Sequence, residues 1–159
     1  MPMLAPRLYN LHPLLAGPID RWREHLPRVA AMGFDWVYVN AFWAPGASGS
    51  IYAVRDPFEL HPLVRGDAQG SGDELVARFL SEAKAHGLQV MLDLIVPHAA
   101  REAPLAQQHP DWFRHDGGGG LVAPVLANPN DPQRPRVMGD LAELELRNPE
   151  LQPAQAAHF

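Results

Sequence analysis

The stretch that decides the fold is Leu88-Gln89-Val90-Met91-Leu92-Asp93-Leu94-Ile95-Val96-Pro97-His98. From Leu88 to Val96 it is nearly continuously apolar, broken only by Gln89 and Asp93. A short apolar run of this kind predicts a strand covered on both faces, the pattern of parallel sheets. Just before it, Leu75, Val76, Phe79, Leu80 and Ala83 form one stripe at helical spacing. Ser71 stands three residues before Glu74, the spacing of a capping box, and Gly87 suits the stop. Further upstream, Phe34–Asn40 is β-branched and aromatic, which predicts a second strand. A helix over Asp20–Met32 precedes it, kinked or restarted at Pro27 and closed by Gly33. Leu8–Leu14 is a short, mixed stretch that reads as the first strand.

The order is therefore strand, helix, strand, helix, strand. The residues between strands suffice for crossover connections, so the sheet is expected to be parallel. Two architectures start this way: doubly wound sheets and (β/α)8 barrels. A nucleotide-binding doubly wound fold calls for a glycine loop between a strand and its helix. Gly66, Gly70 and Gly72 instead lie at the end of a long polar loop drawn from Ala41 to Gly70, not directly after a strand, and no G-x-x-x-x-G-K-[ST] occurs. Gly117–Gly120 reads as a flexible turn.

Composition narrows the function classes. The 159 residues are 47% hydrophobic and carry a formal net charge of -5. That is a globular chain with a core. Its charge repels polyanions, and Lys84 is the only lysine, so neither nucleic acid nor a membrane surface is an expected partner. Cysteine is absent, which excludes disulfides and thiolate chemistry. No apolar run approaches the roughly 18 residues that span a bilayer, and Met1–Asn10 lacks the pattern of a signal peptide. A cytoplasmic protein is the expectation.

Active sites of parallel α/β proteins form at the C-terminal ends of strands. After the second strand come Asn40, Trp43 and a loop bearing Tyr52 and Asp56; after the third come Asp93 and His98. Trp112 and Phe113 follow in a stretch rich in Pro, Gly and Asn. Aromatic platforms beside hydrogen-bonding groups suit sugars, whose faces are apolar and whose edges carry hydroxyls. Taken singly, Tyr52 also reads as rim cover, Asp93 as a structural carboxylate and His98 as a hydrogen-bonded structural histidine. His12, His61, His109 and His115 show no metal-ligand spacing.

Together these residues resemble one family. Tyr52-Ala53-Val54-Arg55-Asp56 resembles the Y-x-x-x-D segment after strand two of α-amylase-type enzymes (glycoside hydrolase family 13). Asp93 to His98 resembles that family's D-x-x-x-N-H signature at the end of strand three. His109–Phe113 and Gly139–Leu144 resemble the excursion the family inserts there, and Asn148-Pro149-Glu150 the start of its third helix. Ala31–Asp35 is similar to maltosyltransferase-like members, which act on maltose 1-phosphate and α-1,4-glucan.

The resemblance implies an α/β fold, namely the N-terminal portion of a (β/α)8 TIM barrel of about three βα units with a long excursion after strand three. Residues 1–102 would supply the first three strands and two helices of the barrel, 103–147 the small inserted excursion and 148–159 the start of the third helix, where the chain would be truncated. It implies retaining glycosyl transfer on α-glucan or malto-oligosaccharide. Tyr52 would stack on a sugar ring and His98 would bond a hydroxyl, with Asn40 and Trp43 lining the same pocket. Asp56 and Asp93 would brace the site. The nucleophile and the acid are expected from later strands of the barrel, so this chain would hold one wall of the pocket and be inactive alone. A non-catalytic glucan-binding fragment or truncated pseudoenzyme is the alternative. No cofactor is implied; the calcium that many members hold through the motif's Asn is not expected, because Pro97 has no side-chain oxygen.

Overall fold

The computed structural model describes residues 5–151 and Pro153. The chain forms two compact units, neither contiguous in sequence. One runs to Trp43 and resumes over Phe58–Leu94; the other joins Ala44–Pro57 to the chain from Ile95 onward. Residues 44–57 and 95–102, which the linear reading assigns to the barrel strands, thus group with the excursion.

The first unit is built on β1 (Leu8–Leu11), β2 (Trp36–Val39) and, after two further strands described below, Gln89–Leu92. These three are parallel in the order first, second, last, with Leu11 opposite Val39 and Val39 opposite Leu92. The first strand is shorter than Leu8–Leu14 because Pro13 opens a helical turn, α1 (Pro13–Ala16). Over Asp20–Met32 the chain is 3-10 from Ile19 to His25 and becomes α-helical as α2 (Leu26–Ala31), the change falling at Pro27. Gly33, at φ 83°, closes α2: its N–H bonds Ala30 O, and Phe34 N–H bonds Val29 O.

The segment drawn as a loop from Ala41 to Gly70 holds three elements. β3 (Trp43–Pro45) pairs with β4 (Val54–Leu60), and α3 (Pro62–Arg65) follows. Pro57 and Asp56 inside β4 hide it from strand propensity. Next comes α4 (Gly72–Ala85), with the Ser71–Glu74 capping box formed in both directions. Gln89–Leu92 is then β5.

The sheet has one covered face. Val37 and Val39 are fully buried, and Leu11, Val90 and Leu92 lie with them against Trp22, Leu26, Val29, Leu75 and Phe79. The opposite face carries Leu8, Asn10, Trp36, Tyr38, Gln89 and Met91, and Met91 is 44% exposed. β5 is therefore not the doubly buried strand its composition suggests: it is an edge strand, and it stops at Leu92 rather than Val96.

In the second unit, β6 (His98–Ala100) continues into α5 (Pro104–Gln108) and a 3-10 turn at Pro110–Trp112. A ribbon of β7 (Val125–Leu126) and β8 (Arg136–Val137) leads to β9 (Leu141–Glu143), which pairs antiparallel with β6. Ala99, Ala103, Phe113, Ala142, Leu144 and Leu151 form its core. The Gly117–Gly120 turn is pinned: the Asp116 carboxylate accepts the N–H groups of Gly118 and Gly120, each at 2.9 Å. Those bonds, Gly120 first, hold its carboxyl below the usual carboxylate range. Asn148–Glu150 is a turn in which Asn148 accepts the Glu150 N–H; the rest of the expected third helix lies almost wholly outside the described residues.

His61 caps α3 by accepting the Leu63 N–H on Nδ1 at 3.1 Å, and is 8% exposed. Burial pushes its pKa down. A folded pKa below the unfolded value, about 6.5, means the folded state resists protonation. Stability should hold above that value and fall as pH drops through the depressed folded pKa. His61→Asn keeps an acceptor at the cap without the titration. The difference in urea midpoint between wild type and His61→Asn, followed from pH 8 to pH 5, should shift against wild type on acidification; a constant difference would rule out this linkage.

Candidate functional site

The C-terminal rim of the parallel sheet carries polar side chains from each strand. Asn40 follows β2 directly, and its Oδ1 accepts from Asn10 Nδ2 on β1 at 2.9 Å. Asp93 follows β5, and its backbone N–H bonds Val39 O at 2.9 Å, which continues the β2–β5 ladder to the rim. Trp43 stacks at a tilt on Phe42, ring centroids 4.5 Å apart, and Phe42 is wholly buried. Asn40, Trp43 and Asp93 thus all belong to the first unit.

Tyr52, Asp56 and His98 belong to the second. Tyr52 ends a tight loop closed by Gly46 N–H to Ala53 O (2.7 Å), Gly49 N–H to Gly46 O (3.0 Å) and Ala53 N–H to Ser50 O (2.9 Å). Ser50 Oγ also accepts the Tyr52 N–H at 3.3 Å. The backbone is thereby fixed while the residue stays 42% exposed. His98, half-buried at the head of β6, places Nε2 3.0 Å from the Tyr52 carbonyl. The structure so brings Tyr52 and His98 together, through ring and backbone. Asp56 sits half-buried on β4.

Two aromatics proposed as platforms have other positions. Phe113 is 3% exposed in the second unit's core, too buried to meet a sugar. Trp112 packs against that core and stacks on His109 at 3.9 Å. Sequence reading missed Asn10, whose signal was a polar residue near the end of an apolar strand. It also missed Glu102, whose carboxylate accepts the Ala47 N–H and which has no local signal. Among the described residues no three His, Asp or Glu side chains gather as a metal site. No helix of the described residues is long and apolar enough to cross a membrane.

A three-stranded parallel sheet whose C-terminal rim carries Asn10, Asn40 and Asp93 defines an α/β protein. The same chain path occurs in the noncanonic maltogenic α-amylase AmyB from Thermotoga neapolitana (TM-score 0.76, 22% identity, 96% of this chain and 35% of that one). It also occurs in an α-amylase from Lactobacillus plantarum (TM-score 0.76, 21% identity, with the same coverage). In sequence, the chain is 34% identical over 112 residues to the α-1,4-glucan:maltose-1-phosphate maltosyltransferase of Burkholderia pseudomallei, covering 70% of this chain and 10% of that protein. It is 35% identical over 120 residues to the enzyme of that name from Mycolicibacterium smegmatis, covering 65% and 17%. The family model described as glycogen debranching enzyme, glucanotransferase domain, matches residues 7–114. The chain belongs to this glucanotransferase family of α-amylase-type enzymes. It spans 10% to 18% of the length of the first curated relatives it matches.

The His98–Tyr52 contact fixes a tautomer. A carbonyl only accepts, so Nε2 must carry the proton, and in the neutral ring Nδ1 is then an acceptor. Imidazole ¹⁵N–¹H correlation spectra taken above the ordinary histidine pKa should report the Nε2–H form for His98. An Nδ1–H form would contradict the contact.

Proposed function

We propose that the chain is the N-terminal portion of a (β/α)8 barrel that performs retaining glycosyl transfer on α-1,4-glucan, with maltose 1-phosphate as donor. It contributes one wall of the substrate pocket. In the second unit, Tyr52 stacks on a sugar ring, His98 takes a hydroxyl and Asp56 braces them; in the first, Asn40 and Trp43 take substrate and Asp93 braces the sheet rim. The observation that carries this reading is the Tyr52–His98 pair: an exposed aromatic on a backbone that the histidine itself holds. Such a pair offers a flat apolar face beside a directed polar group, which is what a pyranose needs.

The uncovered sheet face supports the barrel. Leu8, Trp36 and Gln89 are level across the three strands, as are Asn10, Tyr38 and Met91. In a closed barrel such rows point inward and form the packed interior layers. Closure takes five more strands, in a domain of about 250 residues. The nucleophile and the acid come from those strands, held about 5–5.5 Å apart for retention. Calcium is not held by the side chain at Pro97, which has no oxygen. The protein works in the cytoplasm, a placement supported by the lack of cysteine.

The natural-length protein should transfer maltosyl units from maltose 1-phosphate to glucan, and the 159-residue chain alone should not. Tyr52→Ala in the natural-length protein should lower kcat/KM about tenfold to a hundredfold, equivalent to roughly 1.4–2.7 kcal/mol of transition-state binding. Turnover by the short chain that Asp93→Asn abolishes would relocate the catalytic groups. Glucan binding without turnover at natural length would favour a non-catalytic binding role.

A further inference from the structure

We propose that Glu102 is a positioning residue for Tyr52. This inference rests on the reading of Tyr52 as a sugar platform. The loop from Gly46 to Ala53 is held at two points, by the first residue of β6 and by a residue just past its end. At one end His98 bonds the Tyr52 carbonyl. At the other, just past Ala100, the Glu102 carboxylate accepts the Ala47 N–H. Between these anchors the loop is closed by its own bonds, among them Ser50 Oγ on the Tyr52 N–H. Tyr52 is thus reached from Glu102 through a short hydrogen-bonded path.

Gly46 gives an independent sign that this approach is built in. A Cβ at Gly46 would lie 2.6 Å from Ala100 Cβ and 2.5 Å from Glu102 Oε1, closer than real Cβ atoms come. Only glycine lets the loop sit against β6 with the carboxylate over its first peptide. A carboxylate accepting a backbone N–H makes a stronger bond than a neutral acceptor. An aromatic platform works only if its plane is held where the sugar arrives, so a loop that swings loses affinity without losing the ring. Glu102 touches no substrate in this account; it acts through the Ala47 peptide.

The test uses the natural-length protein with Glu102→Ala, Glu102→Asp, Glu102→Gln and Tyr52→Ala, reading malto-oligosaccharide dissociation constants and amide hydrogen exchange of the 46–53 segment. The expected result for Glu102→Ala and Glu102→Asp is about tenfold faster exchange at Ala47 and an affinity loss approaching that of Tyr52→Ala. Glu102→Gln keeps an acceptor at the same reach and should restore both to within about threefold. If Glu102→Ala does not fold, Glu102→Asp and Glu102→Gln still decide, because they separate reach from bulk. Unchanged exchange and affinity in Glu102→Asp, beside a clear loss in Tyr52→Ala, would overturn the positioning role. A Tyr52→Ala protein that binds as wild type would overturn the platform reading, and with it the role of Glu102 in binding, whatever the exchange data show.

Discussion

Trp22 sets its indole edge-on to Phe42 at 5.7 Å and to Phe79 at 5.3 Å, and donates its N–H to Gly17 O at 2.8 Å. It is wholly buried. That one side chain ties the 3-10 segment to α4 and to the residues leaving β2. Truncating a buried Trp costs about 3–5 kcal/mol, against a total stability of about 5–15 kcal/mol for a domain. The indole N–H requires an acceptor when buried, so the bend at Gly17, φ 78°, belongs to the same constraint. With the helices fixed by Trp22, Val37 and Val39 are covered and the parallel register of β1, β2 and β5 is set. Asn40 and Asp93 then follow their strands at adjacent positions of one rim.

Features with local causes were legible in the sequence. The capping box of Ser71 and Glu74, the glycine stops at Gly33 and Gly87, and the restart at Pro27 depend on residues within a turn of one another. β4 was not legible, because Asp56 and Pro57 contradict strand propensity and only the pairing with β3 makes it a strand. The burial of β5 was overestimated for a related reason. An apolar run shows what a strand tolerates, while its neighbours decide what is covered, and β5 has a strand on one side.

The candidate site divides the same way. Tyr52 and His98 stood out by their place after strands and by their resemblance to known motifs. How they meet did not, since His98 contacts a backbone carbonyl and every residue has one. Asn10 and Glu102 act on partners 30 and 55 residues away, which no spacing rule reaches. Side chains presented from loops work when those loops are held rigidly; of the two side chains from beyond the 46–53 loop that bond its backbone here, His98 was visible in the sequence and Glu102 was not.

The central claim is that this chain supplies a glucan-binding wall through Tyr52 and His98. Its most direct test is a crystal structure of the natural-length protein with a bound malto-oligosaccharide. The account predicts a sugar ring stacked on the Tyr52 ring, with one of its hydroxyls about 2.6–3.2 Å from His98 Nδ1. A well-ordered oligosaccharide bound elsewhere, with Tyr52 left in solvent, would contradict it.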